Sequence, residues 1–317
     1  MPQISVIVPV YNAENLIQKC AESLKAQSFR DFEIVFVNDG SNDHSLSMLQ
    51  NVSSDMIDVK IITQNNRGQA VARNQGIEIS RGEFICFVDI DDFVEPMMLE
   101  KLWKKQNETN ADIVWCDAYI IKEDKQIGRL DQDMMKTDRI FVNYILNNAG
   151  PCRKLIRKSI ITKNDLFFPK IRFYEDVAVI PAYALYADKI VYLEEPLYDY
   201  VMNEGSTMHQ AGYNKSLEDI FASMEYLRSY FNGHGENEYQ ECLEFIHIDH
   251  LLHAASLRFF KYKEGIKQLD LICKTMQHEY PNWEKNHFYK QKDWKYKLVC
   301  KLFYKRQYWL LHKLLDR

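Results

Sequence analysis

The 317-residue sequence predicts an α/β fold, in which a mostly parallel central sheet is flanked by helices and followed by a helical C-terminal region. Between residues 4 and 117, apolar strand-like stretches alternate with stretches of helical periodicity, a pattern typical of a parallel sheet covered on both faces. Beyond residue 213 the apolar spacing is helical throughout. The length suits two domains, which we place at 1–210 and 211–317, with the first divided into two halves, 1–117 and 118–210.

The first half of the chain contains five predicted strands separated by helices. Continuous apolar runs predict the strands, at 4–10, 32–37, 59–63, 84–88 and 111–116. Apolar residues three and four positions apart predict helices at 14–27, 43–52 and 69–80, and Pro96 suits the first turn of a fourth helix.

The elements after residue 117 are less regular. We predict a turn or hairpin at 122–129, a helix at 138–148, a helix entered through 173–178 and ending near 187, and a strand at 189–193. Further helices are predicted at 214–231, 236–260 and 264–279, before an aromatic and basic stretch at the C-terminal end.

The composition argues against several classes of protein. A hydrophobic content of 46% and a charged content of 27% are those of a soluble globular protein, and the net charge of −5 gives no support to a nucleic-acid partner. The seven Cys residues form no Cys-x-x-Cys pair, so neither a zinc site nor a disulfide framework is indicated. No apolar run approaches the roughly 20 residues that span a bilayer, and the first residues read as a strand rather than a signal peptide. We therefore expect a cytoplasmic protein, free or peripheral at the inner face of the cell membrane.

An acidic cluster directly follows the fourth strand. The apolar run Phe84–Val88 ends at Asp89, Asp91 and Asp92, and a core does not tolerate such carboxylates without partners. Ligands of parallel sheets bind at the carboxyl ends of the strands. One interpretation is a solvated turn that caps the helix near Pro96. The other is a divalent ion held by one or two carboxylates and completed by pyrophosphate oxygens and water, where it acts as a Lewis acid on a leaving diphosphate.

Polar clusters also follow the other strands, at 11–12, 38–41 and 65–68, so we expect a single site at one edge of the sheet. Asp39 ends a strand before Gly40, where its carboxylate either accepts from an imide N–H, as in uracil, or caps the next helix. Arg73 lies in a helix among small residues and is either a group that recognises a base or phosphate or an ordinary surface arginine.

The pair Glu175-Asp176 precedes a predicted helix. Negative charge at that position complements the helix dipole, and a carboxylate there also suits a general base that takes a proton from an attacking hydroxyl. The chain contains neither a Gly-x-Gly-x-x-Gly fingerprint nor a Gly-Lys-[Ser/Thr] phosphate loop. This disfavours a dinucleotide oxidoreductase and a nucleoside-triphosphate hydrolase.

Five motifs occur in the order seen in family 2 glycosyltransferases of the GT-A fold, so the sequence resembles that family. They are Pro9-Val10-Tyr11-Asn12, Asn38-Asp39-Gly40-Ser41, Asn66-Arg67-Gly68 with Ala72-Arg73-Asn74-Gln75-Gly76, Asp89-Ile90-Asp91-Asp92, and Glu175-Asp176. The resemblance is close over residues 3 to 125, thinner through 209 and absent beyond. It implies a nucleotide-sugar donor, expected to be a UDP-sugar, a divalent metal (Mn²⁺ or Mg²⁺), and inversion at the anomeric carbon. It also implies that 1–117 is the nucleotide-binding half of the first domain and 118–210 the acceptor half.

The resemblance also implies roles for individual residues. The nucleoside pocket is lined by Pro9, Tyr11 and Asn12, and Asp39 pairs with the base. The rest of the nucleotide-sugar site consists of two arginines, Arg67 and Arg73, and two carboxylates, Asp89 and Asp92. Arg73 helps to hold the base or phosphate, and Asp89 is the carboxylate on the ribose side.

The resemblance places metal binding and catalysis on four further residues. Asp91 is the metal-binding residue of the Asp-x-Asp motif, with Asp92 beside it. Asp176 is the catalytic base, with Glu175 as its neighbour. Several relatives supply a His after the Glu-Asp motif as a further metal ligand, and His209 is the candidate here.

The last 37 residues are strongly basic. Ten Lys and Arg residues and three acidic residues give 281–317 a local charge of +7, and nine aromatic residues are interleaved with them. This composition suits an interfacial helix on an anionic membrane surface, which would bring the enzyme to a lipid-linked saccharide acceptor. The alternatives are helices packed on the domain by their aromatic side chains, or a homodimer interface.

Two other functions compete with a glycosyltransferase acting on a saccharide of a surface polysaccharide or glycoconjugate. A nucleotidyltransferase commonly has a Gly-rich basic loop after the first strand, and the run Tyr11-Asn12-Ala13-Glu14-Asn15 at that place argues against it. A catalytically silent nucleotide-sugar-binding module would not need Asp39, Asp91 and Asp176 together.

Overall fold

The structure is a computed structural model that describes residues 1–56, 58–202, 212–234 and 236–315, and of Asp133 the backbone alone. The chain divides into two compact units, residues 1–206 and 207–317. Each unit is described by itself.

A nine-stranded sheet forms the centre of the first unit, with strand order β3-β2-β1-β4-β8-β6-β9-β5 and β7 paired to β6. Pairing is parallel among β1, β2, β3 and β4, and antiparallel where β8 joins β4 to β6. The strands are β1 Ile4–Val10, β2 Phe32–Asn38, β3 Val59–Thr63, β4 Phe84–Phe87, β5 Phe93–Val94, β6 Ile113–Lys122, β7 Lys125–Arg129, β8 Lys154–Arg157 and β9 Ile190–Val201. The predicted α/β fold class is confirmed.

The register of the parallel strands sets where the polar loops meet. Val10 pairs with Asn38, and Asn38 pairs with Thr63, so β1, β2 and β3 end side by side. On the other side of β1, Ile7 pairs with Phe87 at the end of β4. The segments that follow all four strands therefore leave the sheet at one edge, as the sequence predicts.

Helices cover the parallel part of the sheet and connect its strands. They are α1 Ile17–Lys25, α2 Ser45–Ser53, α3 Gln69–Ile79, α4 Met98–Thr109, α5 Ile140–Asn147 and α6 Lys158–Lys163. The packing of α3 on β1 is close, because a Cβ added at Gly76 would lie 2.4 Å from Ile7 Cγ2. Only a glycine at this position lets the helix that carries Arg73 approach the central strand so closely.

Several elements differ from the sequence-based expectations. The residues after Glu175-Asp176 form a 3₁₀ helix, Ile180–Tyr186, instead of an α-helix, and another 3₁₀ turn spans Leu130–Asp133. The strand predicted at 189–193 continues to Val201, because the register shift beside Pro196 lets its pairing with β6 resume. The predicted hairpin at 122–129 is confirmed as the turn between β6 and β7.

The described part of the second unit is helical, as predicted. Its α-helices are α7 Asp219–Phe231, α8 Asn237–His247, α9 Ser256–Phe259, α10 Ile266–Glu279, α11 His287–Gln291, α12 Trp294–Tyr304 and α13 Tyr308–Leu315. A π-helical stretch, Ile248–Ala255, joins α8 to α9, and 3₁₀ turns occupy Lys215–Glu218, Lys263–Gly265 and Trp283–Lys285. Within the described ranges, no helix combines the length and apolar character needed to cross a membrane.

The aromatic and basic stretch is divided between three helices, α11 to α13. Most of its aromatic side chains that the structure describes are packed inside the second unit, namely Trp283, Phe288, Tyr289, Tyr296 and Phe303. Trp294 and Trp309 are exceptions, with exposed fractions of 66% and 61%. The stretch is therefore not a single interfacial helix, and the predicted membrane contact now depends on these two tryptophans.

Candidate active site

Asp39 holds the loop after β3 against the end of β2. Its carboxylate is 3% exposed and accepts from the backbone N–H groups of Arg67, at 2.9 Å, and Gly68, at 2.8 Å. The side chain of Gln64 donates to it at 2.7 Å. The residue at the start of α2 that receives local hydrogen bonds is Asp43, which accepts from Ser45 N–H at 3.0 Å. The helix-capping interpretation of Asp39 is therefore wrong.

A polar hollow of about 700 Å³ opens where the same two loops meet. Gly40 has a φ of +70°, and a Cβ there would lie 2.7 Å from Asn66 N, so the loops touch through backbone. The hollow is lined by Gly40, Ser41, Asn42, Thr63, Gln64, Asn65 and Asn66. Its polar lining next to Asp39 suits a nucleoside base.

The loop after β1 is tied to the loop after β2. Asn12 N–H donates to Ser41 Oγ at 3.0 Å, and Asn12 Oδ1 accepts from Asn42 N–H at 2.8 Å. Tyr11 is 46% exposed beside this contact. Pro9, in contrast, is buried within β1, where it pairs with Val37, so it belongs to the sheet and not to the loop. Arg67 is exposed in the loop after β3.

Arg73 joins two carboxylates from distant parts of the chain. Its side chain is 1% exposed, with Nη2 lying 2.9 Å from Asp89 Oδ1 and Nη1 2.8 Å from Glu175 Oε1. The surface-arginine interpretation is therefore wrong. Both terminal nitrogens contact carboxylates, and this contact brings the Glu175-Asp176 segment to the edge where β4 ends. The predicted contact with a base or phosphate stays a prediction.

Glu175 and Asp176 are adjacent but lie in different surroundings. Glu175 is 7% exposed, and burial together with the charge of Asp176 raises the pKa of its carboxyl to about 7, although Arg73 opposes the shift. Asp176 is half-buried, and its Oδ1 accepts from Val177 N–H at 2.8 Å. The more exposed side chain of the two is therefore Asp176, and among the described residues no side chain caps the 3₁₀ helix that follows.

The three carboxylates of the acidic turn, residues 89–92, lie in different surroundings. Asp89 and Asp91 are half-buried, whereas Asp92 is 4% exposed, with Oδ2 accepting from Tyr198 O–H at 2.6 Å and Oδ1 from Val201 N–H at 2.8 Å. Burial, and then the charges of Asp89 and Asp91, raise the pKa of Asp92 well above its usual range. Asp92 is therefore buried and holds the turn through these hydrogen bonds, whereas the sequence predicts a direct contact between Asp92 and the nucleotide-sugar.

The turn does not cap the following helix. α4 begins at Met98, two residues after Pro96, and the N–H of Leu99 donates to Gln27 Oε1 at 3.0 Å. Asp89 contacts Arg73, and the two oxygens of Asp92 accept from Tyr198 and Val201, so the capping interpretation is wrong for these two carboxylates. The ligand-binding interpretation stays a prediction.

The donor atoms of the turn suit a divalent ion that is shared with a substrate. Within the described residues, no group of three or more His, Cys, Asp or Glu side chains could hold a metal ion, and His209 lies outside the described residues. Asp91 would supply carboxylate oxygens for a hard cation. Mg²⁺ in particular is commonly bound by one or two carboxylates plus substrate phosphates and water. The residues present therefore fit a metal–diphosphate complex.

Two residues at the site were not predicted from the sequence. Gln64 directly follows β3 and donates to Asp39. Polar residues after a strand were the signal that identified Asn65, and the same signal could have identified Gln64. Tyr198 is 1% exposed and contacts the turn from 106 residues away in the chain, so no local pattern marks it.

The fold and this sheet edge together define an α/β protein in which polar loops and carboxylates meet at one end of a parallel sheet. Residues 5–165, about half of the chain, match the family model described as Glycosyl transferase family 2. The chain belongs to that family, and the resemblance drawn from the five motifs is confirmed.

Individual relatives agree with this assignment. The chain is 30% identical over 232 residues to "Uncharacterized glycosyltransferase YibD" of Escherichia coli (strain K12), covering 68% of this chain and 66% of the relative. It is 32% identical over 223 residues to glycosyltransferase GlyG of Streptococcus pneumoniae serotype 4, covering 65% of this chain and 72% of the relative. The matches thus span about two thirds of the length of these relatives.

A solved structure shares the fold. The crystal structure of S. aureus TarS 1–349 in complex with UDP-GlcNAc has a TM-score of 0.76 at 22% identity, covering 96% of this chain and 92% of that chain. At this level of identity the match shows a common fold, and the GT-A expectation is confirmed.

Proposed function

We propose that the protein is an inverting glycosyltransferase that moves a sugar from a UDP-sugar to an acceptor hydroxyl in the synthesis of a surface polysaccharide or glycoconjugate. The observation that carries the proposal is the convergence of Asp39, the acidic turn and Glu175-Asp176 on one edge of the sheet, with Arg73 joining the last two. Membership of glycosyltransferase family 2 supports the reaction class. The UDP-GlcNAc complex of TarS supports the donor class.

Donor binding would begin at the polar hollow. Asp39 uses two carboxylate oxygens to accept three hydrogen bonds from 64–68, and each oxygen has two lone pairs, which leaves capacity to accept from a uracil imide N–H. Tyr11 and Asn12 flank the base, Arg67 lies in the loop that Asp39 holds, and Asp89 is the ribose-side carboxylate.

The diphosphate would lie at the acidic turn. A divalent ion there, Mn²⁺ or Mg²⁺, would neutralise the charge that develops on the departing diphosphate. Asp91 is the protein ligand that we assign to it, and His209 is the second. Asp92 keeps the turn in place from inside the protein.

Asp176 would act as the general base. It receives the proton of the acceptor hydroxyl as that oxygen attacks the anomeric carbon from the side opposite the diphosphate. Glu175 and Arg73 are buried neighbours that orient this segment. A positioned general base contributes roughly a hundredfold to ten-thousandfold to a reaction rate.

The acceptor would be a saccharide or a lipid-linked saccharide bound by the half at 118–210. For a lipid-linked acceptor, the second unit would contact an anionic membrane surface through Trp294 and Trp309, whose neighbours include Lys295 and Lys313. Co-sedimentation with anionic vesicles tests this, and Trp294→Ala with Trp309→Ala should release the protein. Equal sedimentation of wild type and variant would contradict a membrane contact through these two tryptophans.

The reaction itself is tested by following the nucleotide product. Purified protein with Mn²⁺ and a panel of nucleotide-sugars should release nucleoside diphosphate slowly by hydrolysis, and UDP-sugars should give the highest rate. Release of pyrophosphate from UTP and a sugar 1-phosphate would instead identify a nucleotidyltransferase. Binding without any product from any donor would identify a silent module.

A further inference from the structure

The hydroxyl of Tyr198 joins both ends of the acidic turn. Tyr198 lies on β9 and is 1% exposed. Its hydroxyl oxygen accepts from the N–H of Asp89 at 3.2 Å, and its O–H donates to Asp92 Oδ2 at 2.6 Å. The turn is closed by its own backbone, where Asp92 N–H donates to Asp89 O at 3.1 Å. A single side chain from a distant strand therefore bonds to the first and the last residue of the turn.

The second oxygen of Asp92 bonds to the same strand. Asp92 Oδ1 accepts from the N–H of Val201, the last residue of β9, at 2.8 Å. Burial, with the charge of Asp92 next in importance, raises the pKa of the Tyr198 hydroxyl well above its usual range, so this hydroxyl stays protonated and donates. Two hydrogen bonds through one carboxylate thus fasten the turn to β9.

Asp91 lies between these fastened residues. Its neighbours Asp89 and Asp92 are held by the hydroxyl and by the turn's own hydrogen bond, so the backbone that carries Asp91 has few other conformations open to it. We propose that Tyr198 is a positioning residue for donor binding, and that it acts through Asp92 to hold Asp91 where a metal–diphosphate complex binds. This inference rests on the proposed function.

The test removes only the hydroxyl. Tyr198→Phe keeps the ring in the core and deprives both ends of the turn of their partner. Titration calorimetry measures the affinity for UDP with Mn²⁺ and with EDTA. We expect the affinity with Mn²⁺ to fall by about tenfold or more, since a buried hydrogen bond is lost and its partners in the turn are left unsatisfied. The affinity with EDTA should stay within about twofold of wild type, because the Asp39 loop that receives the base is untouched.

Tyr183→Phe is the matched control. Tyr183 is also a fully buried tyrosine, and its O–H donates to the backbone oxygen of Leu166 at 3.2 Å. This variant should match wild type under both conditions. If Mn²⁺ raises the UDP affinity of Tyr198→Phe as much as that of wild type, the inference is overturned. An equal loss of UDP affinity with Mn²⁺ and with EDTA would also overturn it, since that pattern indicates a general distortion. Failure of wild type itself to bind UDP would instead overturn the proposed function.

A second variant tests the route through Asp92. Asp92→Asn by itself should reduce the increase in UDP affinity that Mn²⁺ gives. Adding Tyr198→Phe should cause little further loss of affinity, because the effects of two substitutions in one contact are not additive. Additive losses would show that Tyr198 does not act through Asp92, and would overturn the inference. Asp92→Asn also gives a result if Tyr198→Phe alone does not fold.

Discussion

Replacing Arg73 with Met tests the ion pairs that join the end of β4 to the Glu175-Asp176 segment. Arg73 is 1% exposed and lies within 2.9 Å of an oxygen of Asp89 and 2.8 Å of an oxygen of Glu175. Removing one partner of a buried pair leaves the other charge without compensation, at a cost of about 3–5 kcal/mol. For a domain of this size, about 2–4 °C of melting temperature is lost per kcal/mol, so we expect a decrease of about 6–20 °C.

Thermal unfolding followed by circular dichroism measures this effect. Arg30→Met is the control, because Arg30 is exposed and its Nη1 donates only to the backbone oxygen of Lys25 among its described contacts. Its free energy of unfolding should stay within about 0.5 kcal/mol of wild type. The melting temperature of Arg73→Lys should lie between those of wild type and Arg73→Met, since an ammonium lacks the planar fork that reaches two carboxylates. If Arg73→Met melts as Arg30→Met does, the ion pairs do not hold the site together.

The remaining predictions concern catalysis, pH and packing. Asp176→Asn should lower transfer by at least about a hundredfold while leaving UDP affinity nearly unchanged, and retained transfer in the purified variant would exclude Asp176 as the base. The pKa of Glu175 is raised from 4.5 to about 7, so the folded state binds this proton more tightly than the unfolded state does, and stability falls as pH rises between those values. Glu175→Gln should flatten that fall in urea midpoints measured at pH 5 and pH 8, and an unchanged slope would contradict the shift. Gly76→Ala should destabilise the protein by about 1–3 kcal/mol, since its Cβ would lie 2.4 Å from Ile7 Cγ2. Gly150→Ala, where an added Cβ meets nothing within 4 Å, is the control, and equal urea midpoints would refute the close packing of α3.

The meeting of the polar loops at one edge of the sheet was predictable because the positions of the strands and of the loops that follow them are local properties. Apolar runs identify β1 to β4, and parallel strands of one sheet end at the same edge. The polar residues after those runs, such as Asp39 and Asp91, therefore had to lie near one another. The same rule places Gln64 at the edge, because it is the residue after β3.

Which side chains face a ligand was not predictable in the same way. Asp91 and Asp92 are adjacent and chemically identical, yet Asp92 is 4% exposed and bonded to Tyr198 and Val201. The direction of a side chain in a turn depends on what packs against the turn, and here that is a strand more than 100 residues later in the chain. The aromatic stretch of the second unit shows the same limit, since composition alone does not tell the buried Tyr296 from the exposed Trp294.

The sequence by itself determined the fold class, the family and the sheet edge where the polar loops meet, because these follow from periodicity, strand ends and short motifs. Only the tertiary structure decided that Arg73 joins Asp89 to Glu175, that Asp92 is an internal residue, and that Tyr198 belongs to the acidic turn. These facts depend on contacts between segments about 16 to 106 residues apart, which the packing of the whole unit sets and no local pattern encodes.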